Sequence, residues 1–156
     1  MSGIRVLAAL AVESALALSR GSGRRRANLN LHPTLDDPIQ RFLNVLQPDS
    51  YVRPHRHEAD RFELFLVLAG RAAAILFDAT GAVIETVALA PDATRAVEIP
   101  GGRWHTLLAL APDTVLFEVK PGPYRPLTDK DFASWAPAEG DPAAAAALER
   151  WRQAVA

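Results

Sequence analysis

Half of this chain, residues 41–120, is interrupted by glycine, proline or aspartate before any apolar run exceeds about seven residues, which leaves room for short strands and none for long helices. Strands are predicted over 41–47, 51–57, 62–68, 71–77, 83–89, 95–99, 104–110 and 115–120. A further segment at 28–32 alternates Asn28, Asn30 and His32 with leucines, so one of its faces would be wholly polar. Asp78-Ala79-Thr80-Gly81 predicts a hairpin between two central strands, and Ala111-Pro112-Asp113 predicts a second. Many short strands joined by such turns indicate a mainly β sandwich or barrel.

The two ends differ from this middle. Ile4, Leu7, Ala8, Ala11, Ala15 and Leu18 recur at helical spacing and predict an amphipathic helix ended by Gly21-Ser22-Gly23. Glu13 interrupts the apolar run 6–12, which could otherwise be mistaken for an export signal. After Lys120, three prolines (Pro121, Pro123, Pro126) stop ladder pairing, a short helical turn is expected within 129–135, and a last helix starts near Asp141, its cap, with Pro142 in the first turn. The expected organisation is one domain: helix and linker at 1–23, barrel at 24–126, helical tail at 127–156. At 156 residues, such a domain can bury roughly 68–70% of the surface its unfolded chain exposes.

A formal net charge of -1 gives no ground for a nucleic-acid or membrane partner. No segment approaches the roughly 18 apolar residues of a membrane span. The absence of cysteine removes disulfides, thiolate ligands and a cysteine nucleophile, and agrees with the reducing cytoplasm expected as the location. Arginine supplies nearly all the positive charge, including the cluster Arg24-Arg25-Arg26; these guanidinium groups could be solvated, paired with carboxylates, or used to capture an anion.

Chemistry concentrates in His55-Arg56-His57, in Glu63, and in His105, which closes the run Pro100-Gly101-Gly102-Arg103-Trp104-His105. Alternate side chains of an extended strand share a face, so His55 and His57 can aim at one point while Glu63 and His105 arrive from neighbouring strands. Three imidazoles and a carboxylate suit one divalent metal ion, with iron, manganese, cobalt, nickel, copper and zinc all acceptable to these donors. Glu63 lies in the apolar run 62–68, where an unpaired carboxylate costs several kcal/mol and a cation would remove that cost. Glu58 and Asp60 are the alternative carboxylates. Continued backwards, the alternation places Arg53 and Tyr51 on the ligand side as candidate catalytic residues, one to hold a carboxylate or phosphate and the other to donate a proton. A structural ion pair for Arg53 and rim packing for Tyr51 are the competing roles. Glu118 and Lys120 share a strand face as an ion pair or as supports of the ligands, and Trp104 should point away from the metal into a core or subunit interface.

These residues resemble the two motifs of the cupin superfamily. His55, His57, Glu63 and Gly70 match the first motif, with five residues between His57 and Glu63 where three or four are usual; Pro100, Gly102 and His105 match the second, with Ala109 where asparagine is usual and Asp49 and Thr94 at the opening glycine positions. The segments Arg26-Ala27-Asn28-Leu29-Asn30-Leu31-His32, Gln40-Arg41-Phe42-Leu43-Asn44, Tyr51-Val52-Arg53-Pro54-His55-Arg56-His57 and Glu118-Val119-Lys120-Pro121-Gly122-Pro123-Tyr124 are similar to those of WbuC-type cupin metalloproteins, as are Asp129-Lys130-Asp131-Phe132-Ala133 and Trp135-Ala136-Pro137. The resemblance implies a single double-stranded β-helix (jelly-roll) barrel holding a metal, in an O-antigen or polysaccharide context. It also admits His32 as a candidate catalytic residue, a substrate contact or proton carrier at the barrel mouth, the alternative being a surface residue.

Three functions remain open: a metal-dependent protein acting on a small anionic or carbohydrate-derived ligand, as an isomerase, an epimerase or, with iron, an oxygenase; a sensor of sugar or metal without turnover; and a metal-free nucleotide-sugar epimerase using a histidine base and a tyrosine acid. Segment 62–68 is apolar on both faces, which predicts cover by the terminal helices or by a second subunit, and hence a homodimer.

Overall fold

The computed structural model describes residues 3–155. Their order is helix α1 (Ala9–Gly21), strands β1 (Arg26–Asn30), β2 (Ile39–Leu46), β3 (Glu63–Ala69), β4 (Ala72–Phe77), β5 (Val83–Leu89), β6 (Ala96–Ile99), β7 (Trp104–Ala109) and β8 (Thr114–Pro121), a 3-10 turn (Asp129–Asp131), and helix α2 (Ala143–Val155). Five strands form one antiparallel sheet in the order β1-β2-β8-β3-β6, and three form a second in the order β5-β4-β7. Facing side chains fill the space between them, with Phe65, Val67, Leu89, Ile99, Leu107 and Leu116 buried together. Each such side chain contributes roughly 1.5–3 kcal/mol of transfer free energy. The arrangement is a mainly β jelly roll with a helix at each end of the chain.

Both helices cover the outer faces of sheets. Helix α2 buries Ala144, Ala147, Leu148 and Trp151 against Ile75, Phe77 and Leu108, and the Asp141 carboxylate accepts a hydrogen bond from the Ala143 N–H at its start. Helix α1 packs Val12, Ala15 and Leu16 on Leu43, Val45 and Val115. The buried stripe is rotated from the predicted one: Ser19 is buried and bonds Gln47, whereas Ile4 and Leu18 are exposed.

Two other expectations are corrected. Residues 51–57 form no strand; they make a single bridge to β7, with the His55 N–H donating to His105 O (3.1 Å) and the His105 N–H to His55 O (2.9 Å). Pro54 has no N–H to extend that ladder. The turn Ala111-Pro112-Asp113 makes no hairpin, because β7 and β8 lie in different sheets and the turn carries the chain from one to the other. The turn at Asp78 does join β4 to β5, with the Asp78 carboxylate accepting from the Thr80 and Ala82 N–H groups.

Candidate metal centre

Four parts of the fold bring the cluster together. Glu63 opens β3 level with Ile99, and His105 is the second residue of β7. The backbone bridge fixes His55 beside His105, and His57 follows on the loop. That loop is pinned by the Gly102 N–H, which donates to His57 O (2.9 Å). Gly101 permits the approach, since a Cβ there would lie 2.2 Å from the Glu58 carbonyl oxygen. The result places one donor atom from each of His55, His57, Glu63 and His105 within 4.8 Å of one another. Glu63 and His105 are buried, and the other two are partly so.

The ring orientations fit a cation. Nδ1 of His55 and of His105 each lies 2.9 Å from a backbone carbonyl, that of Arg53 and of Arg103, so each Nδ1 carries the proton and each Nε2 presents a lone pair. His105 Nε2 then meets Glu63 Oε2 at 2.7 Å and His57 Nε2 meets Glu63 Oε1 at 2.9 Å. These buried nitrogens and Glu63 Oε2 make no hydrogen bond of ordinary geometry. Lone pairs converging at such distances require a proton or a metal ion. Burial, with the neighbouring His105, pushes His55 down to about 3, so its ring is neutral and ready to ligate. For His105, burial opposes the charged form but hydrogen bonding and attraction to Glu63 outweigh it and raise its pKa. Burial likewise acts against ionised Glu63, and the close approach of His105 and His57, with the charge of Lys120, reverses that, holding it well below the usual carboxylate range.

Sequence spacing alone did not connect Lys120 to Glu63. Lys120 Nζ donates to Glu63 Oε1 (3.0 Å) and pairs with Glu118 Oε1 (2.7 Å), while Asn44 Nδ2 donates to the other Glu118 oxygen. Burial pushes Glu118 up to about 8. Lys120 is raised: burial lowers it, but Glu118 and Glu63 prevail. A cavity of about 210 Å³ extends from the cluster, is lined by Asn44, Phe65, Glu118 and Lys120 of the larger sheet and by Leu107 of the smaller one, and reaches Arg24 and Arg26. A second space of about 150 Å³ touches His55 and His57 from the side of Arg61, Pro123 and Arg125.

The other sequence candidates lie elsewhere. Tyr51 turns from the cavity, stacks on Trp151 at 5.6 Å and donates its hydroxyl hydrogen bond to Pro137 O (2.8 Å); burial pushes it up to about 12. Arg53 lies over Phe132 and donates to Ala133 O. Val52 and His55 line the cavity, because the break at Pro54 spoils the assumed alternation. His32 is buried, its Nδ1 held between the Arg41 N–H and carbonyl and its ring edge against Phe42. Glu58 pairs with Arg61 and Arg125 outside the cluster, Asp60 is exposed, and Trp104 stacks under Arg56 at 4.3 Å.

A family model described as a domain of unknown function (DUF6016) matches residues 8–89. The chain belongs to this family. No curated protein matches this DUF6016 chain. Among solved structures it is similar to the capsular polysaccharide assembling protein CapF from Staphylococcus aureus (22% identity, 64% of this chain and 27% of that chain, TM-score 0.55). It is similar also to KdgF from Halomonas sp. (21%, 64% and 80%, TM-score 0.50) and to the cupin_2 domain of an XRE family transcriptional regulator from Enterobacter cloacae (20%, 64% and 98%, TM-score 0.50). At these identities the likeness establishes the cupin fold of the DUF6016 chain. No helix among the described residues is long and apolar enough to cross a membrane.

Proposed function

We propose that this DUF6016 protein is a metal-binding cupin in which His55, His57, Glu63 and His105 hold one divalent transition metal and a small anionic or carbohydrate-derived molecule binds in the adjoining cavity. The convergence of four donors, with buried His57, His105 and Glu63 atoms lacking hydrogen bonds, carries the reading. Iron, manganese, cobalt, nickel and zinc all suit this donor set. When bound, such an ion supplies Lewis-acid polarisation of a ligand oxygen. The chain's own groups would then orient the ligand: Lys120 neutralises the Glu63 and Glu118 carboxylates, and Asn44 fixes Glu118.

The segments shared with WbuC-type cupins support a place in O-antigen or polysaccharide metabolism, as does the likeness to a capsular polysaccharide assembling protein. The reading includes one functional domain, a cytoplasmic location and a homodimer joined through the outer face of β3, where Leu68 is exposed and Leu64 and Leu66 are half-buried. Sedimentation at micromolar concentration showing only monomer would reject that pairing. A sensing role without turnover is favoured by one observation: Tyr51, Arg53 and His32 are all engaged by backbone groups away from the cluster. The same placement of Tyr51 weighs against a metal-free epimerase.

The test is elemental analysis of protein purified without chelator or metal-affinity resin, beside the variant His55→Ala, His57→Ala. Near-stoichiometric metal in the first and none in the second is expected; equal metal content in both overturns the site.

A further inference from the structure

The cavity has two ends of different chemistry. In the sheet, Lys120 stands level with Gln40 near Glu63, and Arg26 stands level with Leu46 and Thr114. Six positions on β8, Lys120 to Thr114, separate those levels, about 20 Å along the strands. The side chains of Arg24 and Arg26 reach back from the far level to line the same space as the cluster.

A carboxylate already sits on those two arginines. Glu139, on the segment before α2, accepts from Arg24 Nε (2.8 Å) and Nη2 (2.9 Å) in a two-pronged contact, and from Arg26 Nη2 (3.0 Å). Arg26 is the better anchored of the pair: its side chain is only 13% exposed, and Nη1 donates to Tyr51 O at 3.0 Å. Two guanidinium groups against one carboxylate leave a net positive charge at this end. At the other end Lys120 offsets charge on Glu63 and Glu118, and a divalent ion would leave that end positive whether or not Glu118 is ionised. A loaded cavity is therefore positive at both ends, a field that draws in an anion. Planar guanidinium forks match carboxylate and phosphate oxygens in the geometry that Glu139 already adopts.

We infer that Arg24 and Arg26 form an anion subsite at the far end of the cavity, and that Glu139 is an internal carboxylate occupying it until the carboxylate or phosphate of a ligand displaces it. The inference rests on reading the cavity as the ligand chamber, and not on which metal the cluster holds. It explains why an arginine pair whose charge exceeds that of its partner is built into the cavity wall.

The experiment removes the metal question by working in the full chain carrying His55→Ala and His57→Ala, in chelator. Inorganic phosphate and malonate are titrated separately into this protein and into the same protein with Glu139→Ala, with Glu139→Gln as the second variant should the first fail to fold. Calorimetry gives affinity, and ¹⁵N spectra of the arginine Nε–H groups give location. At least about tenfold tighter binding of one or both anions without the Glu139 charge is expected, a factor set by loss of an intramolecular competitor. The Arg24 and Arg26 signals should shift, and Arg24→Ala with Arg26→Lys should abolish binding. Preference between the two probes assigns carboxylate or phosphate as the ligand group. Equal affinities with and without Glu139, or shifts confined to other arginines, overturn the subsite whatever the cluster is found to bind.

Discussion

Replacing Lys120 by methionine tests the electrostatics of the cluster most directly. Its ammonium lies 2.7 Å from Glu118 Oε1 and 3.0 Å from Glu63 Oε1; the lysine side chain is 21% exposed and the two carboxylates 4% each. Methionine keeps most of the volume and the contact with the Phe42 ring but removes the charge. Glu63, and Glu118 once it gives up its proton, would then lie buried without their common cation. Breaking a buried pair in this way costs about 3–5 kcal/mol, against a total stability of about 5–15 kcal/mol for a domain. At about 2–4 °C per kcal/mol for this chain length, the metal-free melting temperature should fall by about 6–20 °C. A divalent ion on Glu63 restores one of the two lost neutralisations, so the loss in zinc should be smaller than in chelator by more than about 1 kcal/mol. Adding Glu118→Gln to Lys120→Met should recover part of the chelator loss, because the second ionisable carboxyl group disappears. Urea unfolding midpoints of the three proteins in chelator and in saturating zinc give all of these differences, provided the slopes stay equal. A Lys120→Met loss below about 1 kcal/mol in chelator, or an identical loss in both conditions, would refute the account of Lys120 as the cation shared by these carboxylates.

Local pattern was legible where the chain's own punctuation bounded an element. Strand β5 falls on the predicted 83–89 because turn residues stand at both ends, and the Asp78 turn closes its hairpin through side-chain acceptors that any sequence reader can name. The 51–57 segment failed for a reason also present in the sequence, the missing N–H of Pro54, whose effect on the alternation displaced Tyr51 and Arg53 from the cavity and put Val52 there. The meeting of His55, His57, Glu63 and His105 was visible through spacing and motif. The attachment of Lys120 to Glu63 was not, because it depends on β8 lying between β2 and β3, a register decided by pairings such as Ile39 with Pro121 and Leu64 with Val119, far apart in the chain. The same non-local cause hid the hold of Glu139 on Arg24 and Arg26, a separation of more than a hundred positions.

Gly101→Ala should weaken zinc binding by about tenfold or more without altering a proposed ligand, since its Cβ would stand 2.2 Å from Glu58 O and must push the loop carrying His57; unchanged affinity by competition titration would show that this loop is free to move. The pH response should weaken with metal. In the metal-free protein burial raises Glu118 to about 8, so above its ordinary value near 4.5 the native state keeps a proton that the unfolded chain releases, and stability declines as pH rises towards 8. His105, raised by Glu63 despite burial, loses its contribution in the same direction as pH climbs through its folded pKa. His55, held down to about 3, acts only below about 6.5, where the unfolded ring takes a proton that the buried ring refuses and acidification destabilises. Between pH 6.5 and 8 the metal-free protein should therefore lose stability, at up to about 1.4 kcal/mol per unit for each group, and Glu118→Gln should flatten the decline. With zinc the decline should be shallower, because binding must displace the His105 proton and gains affinity as that proton becomes easier to remove, while the Glu118 contribution remains. Urea midpoints across this window decide the matter: a metal-free stability that climbs with pH would mean that neither Glu118 nor His105 is protonated in the way the buried lone pairs around Glu63 require.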